Sequence, residues 1–143
     1  MTAHDHAGSR LFVYGTLMMP AVRQAVCGMP LATRAATLPD YVRYQLRERV
    51  YPAIVSALGA ITAGLLCEGL DGPLWRRLDS WESELYLRHT VMVRDTAGAL
   101  VGAQTYVLAP PHHHLLSTAP WSPAAFERLH LAAYLARWTS ARP

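Results

Sequence analysis

Four consecutive β-prone residues, Leu11-Phe12-Val13-Tyr14, stop abruptly at Gly15-Thr16. Such a run reads as a buried strand that ends in a turn. A glycine directly after a buried strand lets the backbone turn sharply and lets a ligand approach the main chain. The rest of the chain supplies short elements to pack around that strand. Pro20 to Cys27 fits a short helix closed by Gly28. From Leu31 to Leu46 apolar and polar residues mix without helical spacing, and Pro39 punctuates them, which predicts two short strands. Tyr51-Pro52-Ala53 reads as a turn or an extended crossing, because the residue before proline avoids the α region. Ile61 to Leu70 reads as a strand.

A helix follows, with Asp71 or Gly72 near its cap and Pro73 in its first turn. Leu74, Leu78 and Trp81 fall on one apolar stripe of it, and Arg76, Arg77 and Asp79 take the other side. Tyr86 to Arg94 and Leu100 to Leu108 read as a hairpin around a turn at Asp95 to Gly98. Pro110 to Pro120 reads as a loop. Ser122-Pro123 opens a last helix running to about Trp138. The sum is a β-dominated α+β domain: a small mixed, partly closed β-barrel with two or three flanking helices.

Length and composition fit that picture. The chain has 143 residues, 52% of them apolar and 16% charged, enough for one domain with a real core and too apolar for disorder. The expected organisation is a flexible leader over residues 1–9 and a single domain over residues 10–143. No apolar run approaches the roughly 20 residues that cross a bilayer. The polar stretch Met1 to Arg10 has no signal-peptide core. The expectation is therefore a cytoplasmic protein without a membrane partner. Cys27 and Cys67 form no Cys-x-x-Cys pattern and are expected to be reduced and buried.

The chain contains no lysine. That removes Schiff-base, P-loop and kinase-type lysine chemistry together. No GxSxG, HExxH, GxGxxG or Walker pattern occurs. What remains is carboxylate acid–base chemistry assisted by backbone amides. Arg43, Arg47 and Arg49 with Tyr41, Tyr44 and Tyr51 suit either solvated strand positions and core packing or a patch for a single-stranded nucleic acid. A net charge of +3 is too small to favour nucleic acid by itself. His112, His113 and His114 with His4 and His6 suggest a metal site, but adjacent loop histidines diverge from one another.

Two segments stand out. In Tyr14-Gly15-Thr16-Leu17, consecutive N–H groups of a turn can form a nest for an anion. In Leu78-Asp79-Ser80-Trp81-Glu82-Ser83-Glu84, Glu82 sits on the border of the apolar stripe near the helix C-terminus. Desolvation and the negative end of the helix dipole both push its pKa up there, which suits a carboxyl that accepts and returns a proton near neutral pH. Spacing alone favours a plain salt-bridge role for Glu82 over a catalytic one, and it places Asp79 on the polar side of the helix.

These segments, taken in order, resemble the γ-glutamylcyclotransferase family and its AIG2-like branch. Leu11 to Leu17 is similar to the opening signature and Tyr51-Pro52-Ala53-Ile54-Val55 to the Pro-Ala-Ile segment. Leu78-Asp79-x-x-Glu82 with Tyr86-x-Arg88 and Val91 resembles the central signature. Gly102 to Leu108 resembles the strand after it, and Trp121, Phe126, Leu131 and Tyr134 the closing helix. The resemblance implies a small mixed barrel and a metal-independent acyltransferase that needs no cofactor. Its substrate would be a small γ-glutamyl compound rather than nucleic acid, released as 5-oxoproline and a free amine. It implies that main-chain groups of Tyr14, Gly15, Thr16 and Leu17 hold the α-carboxylate end and that Glu82 handles the α-amine proton. Tyr86 matches as a residue that closes the pocket or donates a hydrogen bond. Arg88 matches as a partner of Glu82 or Asp79, or as a support of the sheet. A non-catalytic binding or regulatory module on the same fold is the alternative. The leaving amine and the oligomeric state are left open.

Overall fold

The computed structural model describes residues 7–140, with side chains to residue 137. Six strands form one sheet: β1 (Arg10–Val13), β2 (Ala32–Leu46), β3 (Pro52–Glu68), β4 (Tyr86–Asp95), β5 (Leu100–Leu108) and β6 (Leu116–Pro120). Their order is β3-β1-β5-β4-β2-β6, and β3 also pairs with β2. That last pairing closes five strands into a barrel and leaves β6 alongside β2. β1 runs parallel to β5, with Leu11 opposite Gln104; the other pairings are antiparallel. The small mixed barrel anticipated from the sequence is therefore present, with its circuit complete.

Around the barrel lie α1 (Pro20–Cys27), α2 (Gly72–Glu82), α3 (Pro123–Leu129) and α4 (Leu131–Ser140). Local chemistry sets their ends. Gly28 closes α1 in the left-handed region at φ 72°, its N–H on the Gln24 carbonyl, a conformation glycine adopts without Cβ strain. The Asp71 carboxylate caps α2 by accepting the Leu74 N–H at 3.0 Å, with proline in the first turn, and Ser122 caps α3 in the same way through Ala125 N–H.

β1 is apolar from Leu11 to Val13 because that stretch is covered on both faces. Phe12, with Tyr14 just beyond the strand end, packs inside the barrel against Leu38, Ile54, Leu66 and Val93. Leu11 and Val13 point outward under the helices, among Val22, Val26, Trp75, Leu78 and Phe126. Cys27 and Cys67 are free thiols, both buried, and burial pushes the Cys67 thiol up to about 11. Trp75 and Trp121 are core residues, and the side chain of Trp138 lies outside the described residues.

The structure differs from the sequence reading at four places. The two short strands expected over Leu31–Leu46 are one strand with a bulge between Pro39 and Tyr41. Asp40 takes φ 65° there, and its carboxylate accepts the Gly59 N–H at 2.9 Å, so the ladder bends instead of ending. The strand expected from Ile61 begins nine residues earlier, at Pro52, for the same reason: residues 57–60 bulge opposite Asp40 and pairing resumes beyond them. The loop expected over Pro110–Pro120 contains a 3-10 turn (Pro110–Leu115) and β6. The last helix is split at His130, whose φ of −129° breaks the helical path. Of the leader, residues 1–6 lie outside the described residues. Residues 7–9 form a 3-10 turn with Ala7 buried and the Gly8 carbonyl accepting the Trp75 indole N–H at 2.7 Å.

Gly64 shows how closely β3 and β1 approach. A Cβ there would lie 2.2 Å from the Val13 carbonyl oxygen and 2.7 Å from Phe12 Cζ. Gly64→Ala is expected to lower stability by at least about 3 kcal/mol, at the upper end of overpacking costs because one clash is with backbone. Urea unfolding of the variant beside the parent measures it.

Candidate active site

β1 and α2 are brought together at one end of the barrel. After Val13 the chain passes through Tyr14 and Gly15 into a 3-10 turn, Thr16–Met18, closed by Met18 N–H on the Gly15 carbonyl at 2.9 Å and Met19 N–H on that of Thr16 at 3.0 Å. The first amides of such a turn have no acceptor within it. A cavity of about 290 Å³ opens beside it. Gly15, Thr16 and Leu17 line one side, Trp81 and Glu82 at the end of α2 another, and Tyr51, Tyr86, Tyr106 and Tyr134 complete the wall. Among the described residues, Glu82 is the one carboxyl of this lining, and no basic side chain belongs to it.

The turn is braced from behind. The Arg23 guanidinium donates to the carbonyls of Leu17 and Met18 at 2.9 and 3.1 Å. That of Arg43 donates to the carbonyls of Tyr14 and Ala63 at 2.8 and 3.0 Å and lies 5.5 Å from the Trp121 ring centre. Arg43 is thus committed to holding the main chain, and burial lowers its pKa. A Cβ on Gly15 would stand in tight contact with the Pro52 ring, 3.1 Å away. The glycine serves the approach of β3 to the turn, a packing reason that adds to ligand access.

Glu82 is the last residue of α2. It keeps some contact with solvent through the cavity, but apolar and phenolic groups crowd its carboxyl. Loss of solvation, and secondarily the negative charge of Asp79, raise its pKa from 4.5 to about 8. Burial also pushes up the pKa values of Tyr14, Tyr86, Tyr106 and Tyr134, with the nearby Glu82 charge adding to each. All four phenols therefore keep their hydrogens. That of Tyr14 is donated to the Tyr106 carbonyl at 2.5 Å and that of Tyr86 to the Pro52 carbonyl at 2.8 Å. Tyr134 is hydrogen-bonded to Thr16.

Most of the residues singled out in the sequence meet here. Gly15, Thr16, Leu17, Glu82 and Tyr86 share the cavity, as does Tyr14, whose ring turns into the barrel. Arg88 does not reach Glu82. Its guanidinium pairs with Asp79 at 3.2 Å and stacks on Trp75, 4.5 Å from the ring centre. Asp79, expected on the polar side of the helix, also accepts the Tyr106 hydroxyl at 2.6 Å. It stays on the exposed side of the helix, as expected, with its side chain 43% exposed, and is held there by both partners. Tyr106, Tyr51 and Trp81 were not singled out as cavity residues; the one local signal was that Trp81 adjoins Glu82. Arg43 is withdrawn from the basic patch considered for nucleic acid. Among the histidines, the His113 ring nitrogen lies 3.1 Å from the Leu108 carbonyl. No group of three or more His, Cys, Asp or Glu among the described residues is placed to hold a metal ion, and no helix among them is long and apolar enough to cross a membrane.

Comparison with known proteins agrees with this architecture. Residues 11–123 match the family model for gamma-glutamyl cyclotransferase, AIG2-like. AIG2-like protein D of Arabidopsis thaliana is 32% identical over 127 residues, which cover 87% of this chain and 83% of the relative. Protein AIG2 C of the same plant is 33% identical over 108 residues, 75% of this chain and 66% of the relative. A solved gamma-glutamyl cyclotransferase superposes with a TM-score of 0.67 over 94% of this chain and 88% of its own, at 16% identity, a likeness of fold. The chain belongs to the AIG2-like gamma-glutamyl cyclotransferase family.

The raised pKa of Glu82 makes stability pH-dependent. The folded protein binds the proton more tightly than the unfolded chain, so the contribution is fully present below pH 4.5 and is lost as pH rises towards 8. Glu82→Gln, which carries no charge, is expected to lose less stability than the parent between pH 5 and pH 9, by on the order of a few kcal/mol. Denaturant melts at the two pH values test this, and parallel losses in both proteins would contradict it.

Proposed function

We propose that this protein cyclises a γ-glutamyl amine or peptide, releasing 5-oxoproline and the free amine. The observation that carries this reading is the meeting of a proton-holding carboxyl, Glu82, with the amides of the Gly15–Leu17 turn in one cavity. Its volume suits a small ligand, at the lower end of the usual range. Family membership supports the reaction class.

In the proposed reaction the substrate α-carboxylate lies on the turn amides and the α-ammonium faces Glu82. Ionised Glu82 takes one proton from the ammonium, which frees the nitrogen lone pair. The nitrogen attacks the γ-carbonyl carbon and closes a five-membered ring. The carbon–nitrogen bond to the leaving amine breaks, and Glu82 returns the proton to that departing nitrogen. Nucleophile and electrophile belong to one molecule, so holding the folded-back conformer does much of the work, on the order of several kcal/mol. A carboxyl titrating near 8 is matched to both proton transfers.

Incubation with a panel of γ-glutamyl amines and chromatographic detection of 5-oxoproline tests the activity; absence of product across the panel would leave a binding module. Glu82→Gln should lower kcat by about 10²–10⁴-fold, the usual worth of a positioned acid–base group, while the protein stays folded. In the parent, kcat/KM should rise about tenfold per pH unit below a midpoint near pH 8. A limb near pH 4.5 would remove Glu82 from the role. Gly15→Val should drive a side chain against Pro52, displace the turn and raise KM; unchanged Michaelis behaviour would remove the turn from substrate binding.

A further inference from the structure

Outside the cavity, the side of α2 facing away from the turn carries a second arrangement of polar groups. Tyr106 is almost fully buried, at 4% exposure. It borders both the cavity and an outer groove that contains Asp79, Glu84 and Arg88. Its hydroxyl donates to Asp79 Oδ1 at 2.6 Å, the short distance of a charge-assisted bond. Asp79 is fixed in turn by two contacts from Arg88, at 3.2 Å to each carboxylate oxygen, and the Arg88 guanidinium is held flat on Trp75.

A phenol has one hydrogen to give and two lone pairs with which to accept. With the hydrogen committed to Asp79, whatever Tyr106 offers to a ligand is an acceptor. Tyr86, whose hydrogen goes to Pro52, is in the same condition. Two phenol oxygens near Glu82 are thus acceptors, and among the described residues that line the cavity none is basic. This arrangement suits a ligand cation.

We propose that Asp79 is a positioning residue: by taking the Tyr106 hydrogen it leaves the Tyr106 oxygen as an acceptor, which joins Glu82 in receiving the α-ammonium of the substrate. The proposal rests on the cyclotransferase reading and names how that site selects a cationic amine. Asp79 acts through Tyr106, besides the effect of its charge on Glu82, and touches no substrate atom. Asp79→Asn keeps the size but can present an amide N–H to the phenol, which releases the phenolic hydrogen towards the cavity. Tyr106→Phe removes the oxygen and keeps the ring.

The test is titration calorimetry with two ligands that cannot cyclise, L-norleucine and hexanoate, which differ in the α-ammonium. The parent should bind L-norleucine at least about tenfold more tightly, the worth of hydrogen bonds to a charged group. Asp79→Asn and Tyr106→Phe should each erase most of that preference while leaving hexanoate affinity unchanged. A merely structural role would weaken both ligands alike. Equal weakening, a preference retained in both variants, or no preference in the parent overturns the proposal. Failure of the cyclotransferase reading appears separately, as absent 5-oxoproline release by a protein that still prefers the ammonium ligand.

Discussion

A half-buried carboxyl at the end of α2 is held against a small cavity, and much of the structure serves to keep it there. The cost of desolvating an ionised carboxylate is met by keeping the proton on Glu82 at neutral pH. That condition depends on closure of the barrel. Pairing of β3 with β2 carries Pro52 to the Gly15 turn, and the β1–β5 parallel contact carries Tyr106 alongside. The Asp71 cap and the burial of Leu74, Trp75 and Leu78 fix α2 so that its last turn overhangs the same spot.

Two arginines illustrate how rigidity is supplied without charge entering the cavity. Arg23 and Arg43 both spend their guanidinium hydrogens on main-chain carbonyls next to the turn. Carbonyls so engaged keep the opposite, amide-bearing side of the peptide units in a set orientation. In the proposed reaction this division would serve both ends of the substrate: turn amides for the carboxylate, a carboxyl and phenol oxygens for the amine. Preorganised groups of this kind need no rearrangement when charge moves during reaction.

Much of this was legible in the sequence where the signal is local. The end of β1, the Gly28 and Asp71 caps, the hairpin turn at Asp95 and the placement of Glu82 at the apolar border of a helix all follow from neighbours within a few residues. Pairings between distant segments were not legible. Asp40 bulges because of Gly59, 19 residues away, so Pro39 looked like a strand end. Asp79 is the surface residue its spacing indicates, but its partners Arg88 and Tyr106, 9 and 27 residues distant, could not be read from that spacing. The Tyr51 and Tyr106 cavity walls, from the residue just before β3 and from β5, meet only after the barrel closes. The ordered set of segments resembling one family did more than any spacing to join the Tyr14 turn with Glu82.

The central claim is that Glu82 is a desolvated, proton-holding carboxyl within the cavity. A carbon-13 titration of the side-chain carboxyl of Glu82, assigned by its disappearance in Glu82→Gln, measures this directly. The expected midpoint is about pH 8. A midpoint near 4.5, the ordinary value for a glutamate in water, would contradict it.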